Sequence, residues 1–277
     1  MPRTGSSPKP DGVITRGTTA PNRLRRIDRW IAYALGSRLR GADRSVVVDL
    51  GFGRSPVTTR EWFDRLRGDF GNHIDVVGVE VDRSRVRDAE PFERDGLTFR
   101  HGGFELSMPS TDRPRIVRAL NVLRQYDESE VEAAWSLVVS GLTDDGVFVE
   151  GTCDELGRVC SWVALYAEDL SVTGVARPRT LTFATRLSSL STPSDLAPRL
   201  PKALIHRNVP GEAIHAFFVS WDRAWELAAP AKTFGVRQRW IQAACILRDG
   251  GAALVGPSSR WRLGELSVEW SAVAPTE

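Results

Sequence analysis

The chain has 277 residues, 42% of them hydrophobic and 26% charged, which places it among ordinary globular proteins with ample length to bury a core. Its net charge of +2 demands neither a nucleic acid nor an anionic membrane as partner. Cys153, Cys160 and Cys245 are an odd set without a CxxC pair, which argues against a disulfide framework or a zinc site and for a reducing, cytoplasmic setting.

Residues 1–21 hold Pro, Gly, Ser and Thr with almost no large apolar side chain, so they are expected as a disordered leader without the apolar region of a secretory signal. No apolar run reaches the length of a membrane span, about 18 residues. Residues 22–41 predict an amphipathic helix. Leu24, Ile27, Ile31, Ala34 and Leu35 form its apolar stripe, Arg23, Arg25, Arg26, Arg29, Arg38 and Arg40 its basic face, and Gly41 its end. With no wider basic field in the chain, a solvated face explains these arginines better than a nucleic-acid platform.

"SVVVDL" is a β-branched run too short for a helix and bounded by glycine, hence a strand buried on both faces. The glycine turn leads to a helix in which Thr58 and Glu61 have capping-box spacing. "IDVVGVEVD" is a second strand, "SRVRDAEPFERDG" an imperfect helix, "LTFRHGGFEL" a third strand and "PRIVRALNVL" a fourth. A helix over residues 127–142 follows, boxed by Asp127 and Glu130, and "VFVEG" is a fifth strand. This alternation predicts a Rossmann-like, doubly wound α/β sheet, mainly parallel, with helices on both faces.

Ligands of such sheets bind beyond the carboxyl ends of the strands, where strand order reverses. Asp49, Gly51 and Gly53 fall at the end of the first strand and Glu80 at the end of the second, where a carboxylate can accept from both hydroxyls of a ribose. The loop lacks the third glycine of a dinucleotide loop and the Lys of a phosphate loop, and Pro56 removes a backbone donor. Asp49 would repel a pyrophosphate and attract a cationic amino acid group. A nicotinamide-dependent enzyme is disfavoured on these grounds.

Residues 45–151 resemble the class I S-adenosylmethionine-dependent methyltransferases. "VVVDLGFG" is similar to the family's first motif, which implies that Asp49, Gly51, Phe52 and Gly53 line the cofactor. "VVGVEVD" resembles the second, which implies that Glu80 holds the ribose. Where the family carries an acid that contacts adenine this chain has Gly103, so the resemblance leaves adenine to the backbone and ring near Gly103 and Phe104. It also implies that Asn121 and Val122 lie beside the methionine end. The Asn-Pro-Pro-aromatic segment that serves base and amide nitrogens is absent, so a small-molecule acceptor is favoured over nucleic acid. No metal is expected.

Residues 22–151 thus form an S-adenosylmethionine-binding core, and residues 152–277 are expected to complete the sheet. "RVCSWVALY" is open between strand and helix. The resemblance implies an antiparallel hairpin at the sheet's edge, for which "RTLTFATRL" and "GELSVEWSAV" are the expected strands, with an inserted helical segment between them that includes residues 211–229 and 236–249. Of the nine tryptophans, Trp162, Trp221, Trp225, Trp240, Trp261 and Trp270 lie in this half; core packing explains them better than an aromatic substrate wall. Glu150, Asp154, His206 and His215 are candidate general bases, and Cys153 a nucleophile without a visible partner. Arg113, Arg115, Arg118 and Arg124 read as a solvated face or as recognition of an acidic substrate. Arg118, within a buried strand, needs a partner. The runner-up function is an adenosyl-ligand-binding protein without catalysis.

Overall fold

The computed structural model describes residues 10–40 and 43–276; the end of the first helix expected at Gly41, and residues 1–9 of the leader, lie outside them. Nine strands form one sheet in the order β3-β2-β1-β4-β5-β6-β7-β9-β8. Its parallel half comprises β1 (Ser45–Leu50), β2 (Ile74–Glu80), β3 (Leu97–His101), β4 (Ile116–Leu120) and β5 (Val147–Cys153). The chain runs outward from β1 to β3, then returns to β1's other side, so the order reverses between β1 and β4.

The period-two alternation of β1 shows why Val46, Val47, Val48 and Leu50 are all apolar. Val46, Val48 and Leu50 enter one core, with Trp135, Trp221 and Trp240, while Val47 enters the other, with Ile27, Ile31 and Trp62. The second face is covered by α1 (Arg25–Ala34), α2 (Gly36–Leu39), α3 (Val57–Phe70) and α4 (Arg83–Ala89), and the first by α5 (Val131–Ser140), α8 (Ala213–Leu227) and α9 (Val236–Asp249). The basic helix expected over residues 22–41 is therefore two pieces, α1 and α2, meeting at Leu35.

Beyond β5 the sheet turns antiparallel. "RVCSWVALY" resolves into β6 (Val159–Tyr166), which pairs with β5, and α6 (Ala167–Thr173) leads on to β7 (Pro178–Thr185). The expected hairpin forms: β7 pairs antiparallel with β9 (Glu265–Glu269), and β8 (Leu254–Val255) closes the edge. Between β7 and β8 lie α7 (Lys202–Ile205), α8 and α9. Trp221 packs 5.3 Å from both Phe183 and Trp240, and Trp162 meets Trp30 edge-on at 5.5 Å, so these indoles are core.

Three local expectations meet different outcomes. The box of Asp127 and Glu130 forms at a 3-10 turn just ahead of α5, because both partners are local. The box of Thr58 and Glu61 does not form: α3 starts on Val57 without a side-chain cap, and Glu61 accepts instead from the Asn22 amide. The cysteine expectation is corrected as well. Cys153 and Cys160 sit opposite one another in the β5–β6 register, with Cα atoms 4.2 Å apart, and are joined as a disulfide, leaving Cys245 free.

Candidate nucleotide crevice and adjoining cavity

At the carboxyl end of β1 the backbone turns through two left-handed glycines, Gly51 at φ 71° and Gly53 at φ 83°. A Cβ on Gly51 would stand 2.6 Å from Val122 Cγ2, so only glycine lets this loop approach the end of β4. Asn121, also left-handed at φ 63°, continues β4 into the same opening; its Oδ1 accepts from the Cys153 amide at 3.0 Å. Phe52 and Phe104 are buried, packed edge-on against Phe99 and Tyr126 respectively.

Glu80 faces the Gly53 loop. Its Oε2 accepts from the Gly53 amide at 2.9 Å and its Oε1 from the amides of Val81 and Asp82, while Arg85 Nη1 lies 3.6 Å away. The carboxylate is thus held between the ends of β1 and β2, 1% exposed.

Asp49 points to the α1–α3 side of the sheet and sits directly opposite Arg118 in the β1–β4 register. Arg118 Nε donates to Asp49 Oδ1 at 2.8 Å and Nη2 to Oδ2 at 2.9 Å, Nη1 donates to Asp28 of α1, and the Thr58 carbonyl takes a further bond. Thr59 Oγ1 also donates to Asp49, at 2.6 Å. Burial pushes Asp28 up to about 6, against the pull of Arg118 and Arg65. Asp49's charge is therefore committed within the protein.

Residues 10–20, expected as leader, cross this end of the sheet. The Asp11 carbonyl accepts from the Phe104 amide at 2.8 Å, the Gly17 carbonyl from the Arg54 amide at 3.0 Å, and the Thr15 carbonyl from Arg85 at 2.7 Å, while the Val13 amide donates to the Tyr126 hydroxyl. A Cβ on Gly103 would stand 2.0 Å from Asp11 O, and one on Gly53 2.7 Å from Gly17 O. The two glycines clear the space that this strap now fills.

Between strap and sheet the strap leaves only a narrow space, bounded by Gly51, Glu80, Gly103, Phe104 and Val122. A larger cavity of about 490 Å³ adjoins it, bordered by Thr15–Thr19, Arg23, Asp49, Gly51, Asn121, Arg124, Glu155 and Arg199. Arg23, Glu155, Arg199 and the strap lack any motif. Their recruitment depends on contacts distant in sequence.

The candidate bases scatter. Glu150 is buried beneath Trp135, bordering neither space, and burial pushes it up to about 8 against a weaker pull from that indole; its Oε2 has no partner among the described residues. Asp154 closes the β5–β6 turn by accepting from the Arg158 amide. His206 lies exposed beside Lys202, and His215 is half-buried on α8. Cys153 is in the disulfide. Arg113 and Arg115 pair with Asp144 and Asp145.

No family model matches the chain, and no curated protein is detectably similar in sequence. Among solved structures, the chain is similar to the citrinin polyketide synthase CMeT domain, at 14% identity over 46% of this chain and 34% of that one, TM-score 0.38. It is also similar to magnesium protoporphyrin IX methyltransferase from Synechocystis PCC 6803 with bound SAH, at 17% identity over 46% and 53%, TM-score 0.34. The chain thus spans about a third and about half of these two proteins. The strand order and the switch point, and not these likenesses, define the fold as Rossmann-like. Among the described residues no helix is long and apolar enough to cross a membrane, and no group of three or more His, Cys, Asp or Glu could hold a metal ion.

Proposed function

We propose that the chain is an S-adenosylmethionine-dependent methyltransferase acting on a small-molecule acceptor. The observation that carries this reading is the crevice at the switch point, where two left-handed glycines and the Glu80 carboxylate converge and Gly103 clears a further space beside them. These residues fit an adenosyl group. In this reading Gly51, Phe52 and Gly53 approach it through their backbone, Glu80 takes the ribose hydroxyls, the Gly103–Phe104 backbone takes adenine, and Asn121 stands at the methionine end. Asp49 acts through the loop it supports, since its carboxylate belongs to Arg118.

When bound, S-adenosylmethionine supplies a methyl group already activated by its sulfonium. The chain's task is to align the acceptor atom with that methyl and to take its proton when it carries one. Of the carboxylates bordering the larger cavity, Asp49 is paired and Glu155 is exposed, so Glu155 is the candidate proton acceptor. The strap must withdraw first, because Asp11 occupies the Phe104 amide. The second reading, an adenosyl-ligand-binding protein without catalysis, needs the same withdrawal and draws its support from Glu150, Asp154, His206 and His215 bordering neither space.

Isothermal calorimetry on the full chain tests the proposal. S-adenosylmethionine and S-adenosylhomocysteine should bind saturably and NAD should not. Silence from both adenosyl ligands at millimolar concentration would discard both readings; binding without methyl transfer to any small acid, amine or phenol would leave the second.

A further inference from the structure

We propose that the cavity beside the crevice is an anion site, in which Arg124 and Arg199, backed by Arg23, take a carboxylate or phosphate carried by the methyl acceptor. The word acceptor rests on the methyltransferase reading; the anion site itself does not.

Three guanidiniums at this end of the sheet lack an ion-pair partner among the described residues. Arg23 is 7% exposed, yet its guanidinium donates only to the neutral carbonyls of Thr18, Cys153 and Asp154. Arg124 donates to the Pro198 carbonyl at 3.0 Å, and Arg199 has no acceptor among the described residues. No described carboxylate lies within 4.0 Å of any of the three guanidiniums. Arg124 and Arg199 are half-buried and Arg23 is buried, and a buried cation is normally paired, as Arg118 is here with two aspartates.

The three converge on one place. Arg124 leaves the turn after β4, three residues past Asn121; Arg199 comes from the loop before α7; Arg23 comes from the segment before α1. All three border the same cavity, whose volume of about 490 Å³ suits a small metabolite rather than a polymer. Burial, reinforced by Arg199, holds the Arg23 and Arg124 guanidiniums below their ordinary value, and Asp154 and Glu155 restore Arg23 only in part. An oxyanion between the guanidinium forks would supply the missing charge and accept paired hydrogen bonds.

The test is calorimetry of the full chain at low salt with two probes, inorganic phosphate and succinate, run beside S-adenosylhomocysteine. At least one probe should bind saturably. Arg199→Gln and Arg124→Gln should each weaken it by about tenfold or more, Arg199→Lys by less, and Arg113→Gln, far from the cavity, not at all. Succinate without phosphate assigns a carboxylate acceptor, and the converse a phosphate ester. Absent binding of both, or binding that survives Arg199→Gln and Arg124→Gln unchanged, overturns the inference. Unchanged circular dichroism guards against misfolding of the glutamine variants, and Arg199→Lys separates a guanidinium fork from generic charge, which would treat Lys and Arg alike. Absence of anion binding by the unmutated chain, with S-adenosylhomocysteine binding intact, rejects the anion site alone; the reverse rejects the methyltransferase reading alone.

Discussion

Arg118 lies in the middle of the sheet with no solvent exposure, 4.2 Å beneath the Trp62 ring and bonded to both Asp49 and Asp28. It joins β1, β4, α1 and the first turn of α3 in one charged cluster. Removing only the cation would leave Asp49 without a cationic partner and Asp28 with Arg65 alone, in a dry interior. Arg118→Met should therefore cost about 3–5 kcal/mol of stability, measured by urea unfolding, and a cost under about 1 kcal/mol would show that the cluster is not a structural bolt. The need for a partner was readable from a charge inside a β-branched strand. The partner itself was not, because Asp49 is 69 residues away and local patterning assigns it only to a strand end.

At the scale of elements, the strap decides how the crevice is used. Its grip is backbone hydrogen bonds and van der Waals contact with two glycines, and it contributes little apolar area. Composition registers apolar area, which is why residues 10–20 looked like a leader without structure. If the strap competes with the adenosyl ligand, loosening it should help the ligand. Tyr126→Phe removes the acceptor of the Val13 amide, a bond worth about 1 kcal/mol, and should tighten S-adenosylhomocysteine binding about fivefold. Weaker binding in that variant would make the strap a lid that holds the ligand. The two capping boxes differ in the same way: Asp127 with Glu130 needs nothing beyond its own turn, whereas α3 starts at Val57, ahead of Thr58, and Glu61 is taken by the Asn22 amide 39 residues away.

Across the whole molecule, one titration is hidden at Glu150, sealed between β5 and α5. Burial raises it from 4.5 to about 8, so the folded chain holds a proton that the unfolded chain releases. Its contribution to stability is full below about pH 4.5 and is lost as pH rises through about 8. Glu150→Gln should gain on the parent across that window, by up to about 1.4 kcal/mol per pH unit, in urea unfolding at several pH values. Parallel pH profiles for the two proteins would refute a protonated Glu150. The same burial withdraws Glu150 from the role of general base that its strand-end position invited.

The alternation of strands with helices and the glycine turn were written in local pattern, because a strand or helix must show its buried face in its own residues, and the late hairpin was implied by the family resemblance; the order of the strands was not. What fills the crevice, where Asp49 sends its charge, which cysteines meet, and which arginines stand without a counter-charge were decided only by the tertiary structure. Each depends on atoms brought together by chain crossings, and no local pattern records them.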